Sequence, residues 1–87
     1  MKLNPEFVLR QVADTWVVLP VGQTSVSFNG MLTLNDSGAL LWKTLEQGGD
    51  ADALADALCA EYEVERQTAL ADAQEFIERL SQAGCLI

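Results

Sequence analysis

The feature that most constrains this chain is a change of composition at residue 35. Up to Leu34 the sequence is rich in Val, Thr, Phe and Trp, whereas the remainder is dense in Ala, Leu, Glu and Asp. The first group of residues favours β-strands and the second favours helices. A chain of 87 residues has room for one small domain. We therefore predict an α+β fold in which strands come first and helices follow, as a single domain over residues 1–87.

Three strands are predicted before the change. The runs FVLRQV at 7–12 and WVVL at 16–19 are separated by Ala13-Asp14-Thr15, the spacing of a short hairpin. A third run, MLTL at 31–34, follows Asn29-Gly30, a dipeptide suited to tight turns. These runs predict a three-stranded antiparallel sheet.

Three helices are predicted after the change. The first runs from an N-cap at Asn35-Asp36 to about Gln47, the second from a cap at Asp50 to Tyr62, and the third from near Glu65 to Gly84. Apolar residues at helical spacing predict the buried positions: Leu41, Trp42 and Leu45, then Ala51, Leu54, Ala55, Leu58 and Tyr62, then Ala69, Ala73, Phe76, Ile77 and Leu80. The apolar tail at 85–87 is expected to cover the core. This layout is typical of a winged helix-turn-helix-like domain in an unusual order.

The net charge of −8 and the short apolar runs argue against two classes of partner. Nucleic acid is bound mainly through Lys and Arg, and this chain has only five of them, spread without a cluster. No apolar run approaches the ~20 residues that a membrane-spanning helix needs. We therefore expect no nucleic acid and no membrane as partner. No apolar signal segment follows Lys2, so we expect a cytoplasmic location.

Catalytic chemistry has little basis in these residues. The chain has no histidine, no glycine-rich phosphate loop, and no nucleophile beside a base. Cys59 and Cys85 are too few and too far apart for a metal site, and we expect both to be thiols that pack as small apolar residues. Acidic pairs such as Asp72 and Glu75 are interpreted as a solvated helix face. We expect no catalytic residue, no metal and no cofactor.

Ser37 raises an alternative function. A small acidic chain with Asp36-Ser37 ahead of an apolar helix could be a carrier protein that holds a phosphopantetheine arm on Ser37. Carrier proteins are four-helix bundles, which the β-rich first third of this chain contradicts. Gly38 also follows Ser37 where carriers usually have Leu or Met. The second interpretation of Asn35-Asp36-Ser37 is an ordinary helix start.

Three runs in order, TLNDSGALLWKTLEQG, LADALCAEYEV and LADAQEFIERLSQAGCLI, resemble the PqqD-like family of peptide-recognition proteins. The resemblance covers nearly the whole chain from the first hairpin onwards. Ala73 departs from it where valine is commoner, and the segment 21–30 is longer than the simplest hairpin link of the family. The most specific positions are Leu34-Asn35 with Trp42, Gly48, Asp72, and the closing segment from Leu80 to Gly84.

The resemblance implies a module that holds the leader of a ribosomally made precursor peptide and delivers it to a modifying enzyme. In the pyrroloquinoline quinone pathway that enzyme is a radical SAM protein. The resemblance also implies that the leader adds as an extra strand beside the third strand, in a groove next to the third helix. Each new backbone pair would contribute roughly 0.5–1.5 kcal/mol. A structural adaptor that binds no peptide shares this fold and stays open.

The predicted peptide-binding residues lie on the two walls of that groove. Strand alternation divides the third strand between core and groove, so the residues whose backbone groups face the peptide stay open at this point. The third helix contributes exposed positions outside its buried stripe. The predicted set is Met31, Leu32, Thr33 and Leu34 on the strand, and Thr68, Ala71, Gln74, Glu75 and Glu78 on the helix.

Overall fold

The computed structural model describes residues 2–22 and 32–87, and within them it confirms the predicted order of strands and helices. The described part of the chain is an α+β fold with a three-stranded antiparallel sheet followed by three helices. Met31 and the Asn29-Gly30 turn lie outside the described residues. The elements are β1 (Phe7–Val12), β2 (Thr15–Pro20), β3 (Leu32–Leu34), α1 (Asp36–Glu46), α2 (Ala51–Glu61) and α3 (Arg66–Gln82).

The sheet has the order β1-β2-β3, with both neighbouring pairs antiparallel. A two-residue turn at Ala13 and Asp14 connects β1 to β2, and Ala13 has the positive φ of 55° that such a tight reversal requires. Pro20, which has no N–H to donate, is the last residue of β2. Because β2 lies between the other two strands, β1 and β3 are the edge strands in the described part of the sheet.

The helix ends follow the predicted capping residues. Asn35 is the N-cap of α1, and its side chain accepts a hydrogen bond from the Gly38 N–H at 2.8 Å. Asp50 caps α2 in the same way through the Ala53 N–H at 3.0 Å. Gly48 follows α1 with a φ of +87°, a left-handed conformation that glycine adopts without steric cost. Since α1 begins two residues after β3 ends, the position of β3 and the position of α1 depend on each other.

The core lies between the sheet and the helices and includes residues from both. Trp42 of α1, Leu54 of α2, Leu80 of α3 and Val18 of β2 are almost completely buried. The predicted return of the C-terminal tail is found for Cys85, which is buried, and for Leu86, which pairs with Leu3 in a β-bridge, whereas Ile87 is exposed. The tail thereby joins the end of α3 to the start of the chain.

Two sequence predictions about packing are wrong in part. Tyr62 was expected in the buried stripe of α2, but the helix ends at Glu61 and Tyr62 has extended dihedral angles (φ −131°, ψ 152°). Because the backbone is no longer helical at Tyr62, its side chain points outward, and the residue is 43% exposed. Cys59 was expected to pack as a small apolar residue and is instead exposed, whereas Cys85 is buried as predicted. Both are free thiols, and burial raises the pKa of the Cys85 thiol.

Candidate peptide-binding site

The hydrogen-bonding direction of each β2 residue follows from the hairpin. Val12 and Thr15 flank the two-residue turn and are paired, so their backbone groups bond to each other. In an antiparallel ladder, hydrogen-bonded and non-hydrogen-bonded pairs alternate. Val17 therefore directs its N–H and C=O to β1, and Trp16 and Val18 direct theirs to β3.

The same alternation identifies the residue of β3 that faces the open edge. Leu34 and Leu32 lie opposite Trp16 and Val18 and use their backbone groups within the sheet. Thr33, between them, directs its N–H and C=O away from β2. An independent contact agrees with this assignment, because the Thr33 carbonyl accepts a hydrogen bond from Nη2 of Arg79 at 3.1 Å. Thr33 is thus the residue within Leu32–Leu34 whose backbone groups point to the open edge.

Arg79 belongs to α3, so its contact with Thr33 shows that α3 runs beside the open edge of β3. Asp72, Glu75, Phe76 and Arg79 are spaced by three or four residues, which places them along one side of the helix. All four line a groove between α3 and β3. The side of α3 that faces the sheet edge is therefore a mixed surface, with an apolar ring among charged groups.

The groove has a volume of about 890 Å³, within the range of roughly 300–1,000 Å³ that is usual for ligand sites. Its lining residues come from the β1–β2 turn, the start of β2, β3, α1, the end of α2, the α2–α3 link and α3. Among the described residues, three carboxylates and one guanidinium lie along it. The lining residues are Asp14, Thr15, Thr33, Leu34, Asn35, Ser37, Gly38, Leu41, Leu58, Tyr62, Val64, Asp72, Glu75, Phe76 and Arg79.

The residues predicted from the sequence divide into three groups in the structure. Thr33, Leu34 and Glu75 line the groove, with Leu34 buried beneath it and Thr33 on its rim. Leu32 is half-buried beside them, and Met31 lies outside the described residues. The remaining predicted positions are exposed on α3 but do not line the groove: Thr68, Ala71, Gln74 and Glu78. A contact of any of these residues with peptide stays a prediction.

Several groove residues were not in the predicted set. Arg79 lies one turn beyond Glu75 on the same side of α3, so the helical period could have identified it. Asp14 and Thr15 are near the groove because Trp16 pairs with Leu34, a register that the sequence did not give. Tyr62 and Val64 come from the link between α2 and α3, where a non-helical backbone determines the direction of each side chain.

Ser37 lies at the start of α1 and its hydroxyl has a local partner. Its Oγ donates a hydrogen bond to Oδ1 of Asn35 at 2.9 Å, the same oxygen that accepts from the Gly38 N–H. This is the geometry of a helix N-cap. The three-stranded sheet also differs from the four-helix bundle of a carrier protein, so the carrier alternative is not supported.

Residues 2–22 and 32–87 contain neither a metal-binding cluster nor a membrane-spanning helix. No group of three or more His, Cys, Asp or Glu side chains there is arranged to hold a metal ion. No helix in the same ranges is long and apolar enough to cross a membrane.

The fold and the groove together define a class of small domain with an open strand edge facing a helix, and comparison with known proteins identifies the family. The model of the PqqD family, described as coenzyme PQQ synthesis protein D, matches residues 15–86. The chain belongs to this family. No curated protein sequence gives a significant match.

Two solved structures are similar to this chain over almost its full length. One is TbiB1 in complex with the TbiA(beta) leader peptide, with 31% identity, a TM-score of 0.81, and coverage of 99% of this chain and 94% of that chain. The other is lasso peptide synthetase B1 complexed with the leader peptide, with 30% identity, a TM-score of 0.80, and coverage of 99% and 95%. Both similar proteins were solved with a leader peptide bound.

Proposed function

We propose that this protein binds the leader region of a ribosomally made precursor peptide by β-strand addition to β3 and presents the peptide to a modifying enzyme. It performs this role as a single domain over residues 1–87 and is itself not a catalyst. The leader lies in the groove between β3 and α3, with its backbone next to Thr33 and its side chains against the groove lining.

The observation that carries the proposal is the outward direction of the Thr33 backbone groups. An edge strand with outward N–H and C=O groups can pair with an added strand, and this pairing is sequence-independent. The groove beside it supplies the selective contacts, because an extended peptide directs alternate side chains to one face. Apolar atoms of Leu34, Leu41 and Phe76 line it and suit an apolar leader side chain.

The family and the two leader-peptide complexes support the same role. Similarity at about 30% identity over nearly the whole of each chain makes a shared type of ligand a sound inference. The PqqD resemblance implies a radical SAM maturase as the enzyme partner, and we propose this class or another peptide-modifying enzyme. Because ribosomally made peptides are first available in the cytoplasm, we expect the protein to act there.

Binding is tested with peptides taken from short genes beside the gene for this protein. The N-terminal region of each encoded peptide, below called the neighbouring-gene leader, is synthesised with a fluorophore and titrated with the protein. We expect saturable binding, and we expect amide chemical shifts in β3 and along the Asp72–Arg79 side of α3 to change. A scrambled leader of the same composition is the control.

The enzyme partner is tested in the same system. The modifying enzyme encoded nearby is incubated with the full precursor, with and without this protein, and product is followed by mass spectrometry. Faster modification in its presence, lost when the leader is scrambled, is the expected result. Absence of leader binding together with stable binding to the enzyme would instead identify a structural adaptor and overturn the proposal.

A further inference from the structure

The open edge of β3 is partly occupied by the protein itself. Thr33 directs both backbone groups outward, but its carbonyl already accepts a hydrogen bond from Arg79. In strand addition, a residue of the incoming strand donates its N–H to that carbonyl. A carbonyl oxygen can accept two hydrogen bonds, but the guanidinium and the added strand both approach this one from the open side of β3, so they compete for the same space beside it.

The other edge strand, β1, also has an arginine that donates to a backbone carbonyl. On β1, Nη1 of Arg10 donates to the carbonyl of its neighbour Leu9 at 2.8 Å. By the alternation set by the hairpin, Leu9 also directs its backbone groups away from β2. Covering an edge with charged side chains is a known way to suppress unwanted strand pairing. The arginine on β1 is local in sequence, whereas Arg79 reaches β3 from a separate helix 46 residues away.

Arg79 has an alternative partner close by on its own helix. Glu75 lies four residues earlier on the same side of α3 and lines the groove with it, a spacing at which Glu and Arg side chains attract each other. Within the described residues, the ion pairs are formed by Arg66 with Asp52 and Asp56, so Arg79 is not held by a carboxylate in this state. The guanidinium can thus leave Thr33 without losing an existing salt bridge.

We propose that Arg79 is a latch on the leader-binding edge: it donates to the Thr33 carbonyl in the free protein and is displaced when a leader strand donates its own N–H there. This inference rests on the proposed function, because it assumes strand addition at Thr33. After displacement, the guanidinium pairs with Glu75. Arg79 is therefore a positioning residue that selects against peptides whose backbone pairs poorly, since a strand that does not donate to Thr33 leaves that carbonyl without a partner after the guanidinium has left.

The latch is tested by binding kinetics with the neighbouring-gene leader. Arg79→Met keeps the apolar stem and removes every donor, so the association rate constant and the affinity should rise by roughly twofold to tenfold, the factor that corresponds to one net hydrogen bond. Arg79→Lys keeps the charge and one donor group and should give a smaller rise. Arg10→Met is the matched control, because it removes the same charge from the opposite edge, and it should leave the affinity unchanged.

A second arm separates competition for the carbonyl from any general effect of the substitution. Leaders with a single N-methylated backbone amide are tested at each position in turn. At the position that donates to Thr33, methylation should weaken binding to the unaltered protein. With that same peptide, Arg79→Met should bind no better than the unaltered protein, because a leader without that N–H does not displace Arg79 from Thr33 and gains nothing from its removal.

The outcomes distinguish this inference from the proposed function. If N-methylation at one position weakens binding but Arg79→Met leaves the affinity unchanged or lowers it, strand addition stands and the latch is wrong. If no N-methylated position matters, or if no neighbouring-gene leader binds, strand addition at Thr33 fails and the latch fails with it. An equal rise for Arg10→Met would attribute the effect to net charge and would also refute the latch.

Discussion

Proline substitution at two adjacent residues of β3 is the most direct test of the geometry. Proline removes one backbone N–H and fixes φ near −65°. The N–H of Leu32 points to Val18 on β2, whereas the N–H of Thr33 points to the open edge. Leu32→Pro and Thr33→Pro therefore make the same chemical change at positions with opposite structural roles.

The expected costs differ for this reason. Leu32→Pro leaves the carbonyl of Val18, a residue that is 1% exposed, without its donor. A buried unpaired carbonyl costs about 1–3 kcal/mol, a large part of the roughly 5–15 kcal/mol that stabilises a small domain. Thr33→Pro breaks no bond within the sheet, and its predecessor is already extended as a residue before proline should be. We expect its cost to stay below about 1 kcal/mol.

The effect on leader binding is expected to be the reverse. Thr33→Pro removes the one donor that β3 directs to the peptide within Leu32–Leu34, which costs about 0.5–1.5 kcal/mol, or roughly twofold to tenfold in affinity. The proline ring also projects toward the added strand, so the total loss should exceed tenfold. Thr33→Val, which keeps the N–H, should bind nearly as well as the unaltered protein.

Urea unfolding followed by circular dichroism gives the free energy of unfolding of each variant, and fluorescence anisotropy gives the affinity for the neighbouring-gene leader. Equal destabilisation by the two prolines would refute the assignment of Thr33 to the open edge. A folded Thr33→Pro variant with unchanged affinity would leave that assignment intact and refute strand addition as the binding mode.

Three further predictions concern stability and partners. Asn35→Ala should lower the free energy of unfolding by about 1 kcal/mol, because it removes the N-cap of α1, whereas Ser37→Ala should have a smaller effect; urea unfolding measures both. Burial raises the pKa of the Cys85 thiol above its ordinary value of 9.0, so the folded state keeps this proton when the unfolded chain loses it, and stability should fall as the pH rises above that value. Cys85→Ala should reduce this alkaline loss, as measured by thermal unfolding at several pH values. The protein should not bind duplex DNA at physiological salt, because its net charge of −8 opposes the phosphate backbone, and a gel shift at nanomolar protein would contradict this.

The parts of the fold that the sequence predicted well depend on local interactions. The N-caps at Asn35 and Asp50 and the end of α1 at Gly48 involve contacts within a few residues, so residue type and spacing carry the information. The order of strands and helices follows from composition in the same way. The tail at Cys85 was placed correctly because an apolar segment beside a helix end has little alternative to the core.

The parts that could not be predicted depend on contacts between distant segments. The outward direction of Thr33 follows from the register of two strand pairs, and no local pattern fixes that register. The contact between Thr33 and Arg79 joins residues 46 positions apart. Tyr62 was misplaced because its helical spacing continues the stripe of α2 although the helix has ended. A groove between β3 and α3 is present where the family resemblance implied one, and of the predicted α3 residues Glu75 lines it.

The two walls of the groove, β3 and α3, are held in place by different contacts. The β3 wall is held by pairing to β2 and by the immediate start of α1 at its end. The α3 wall is held by its buried residues Ala69, Ala73 and Leu80 in the core. The exposed ion pairs of Arg66 with Asp52 and Asp56 and the bridge between the C-terminal tail and Leu3 add to this packing. The hydrogen bond from Arg79 to Thr33 crosses the gap between these walls and lies on the exposed surface. Since a side chain can rotate without moving either wall, a leader can enter by displacing one guanidinium while the packed elements keep their positions.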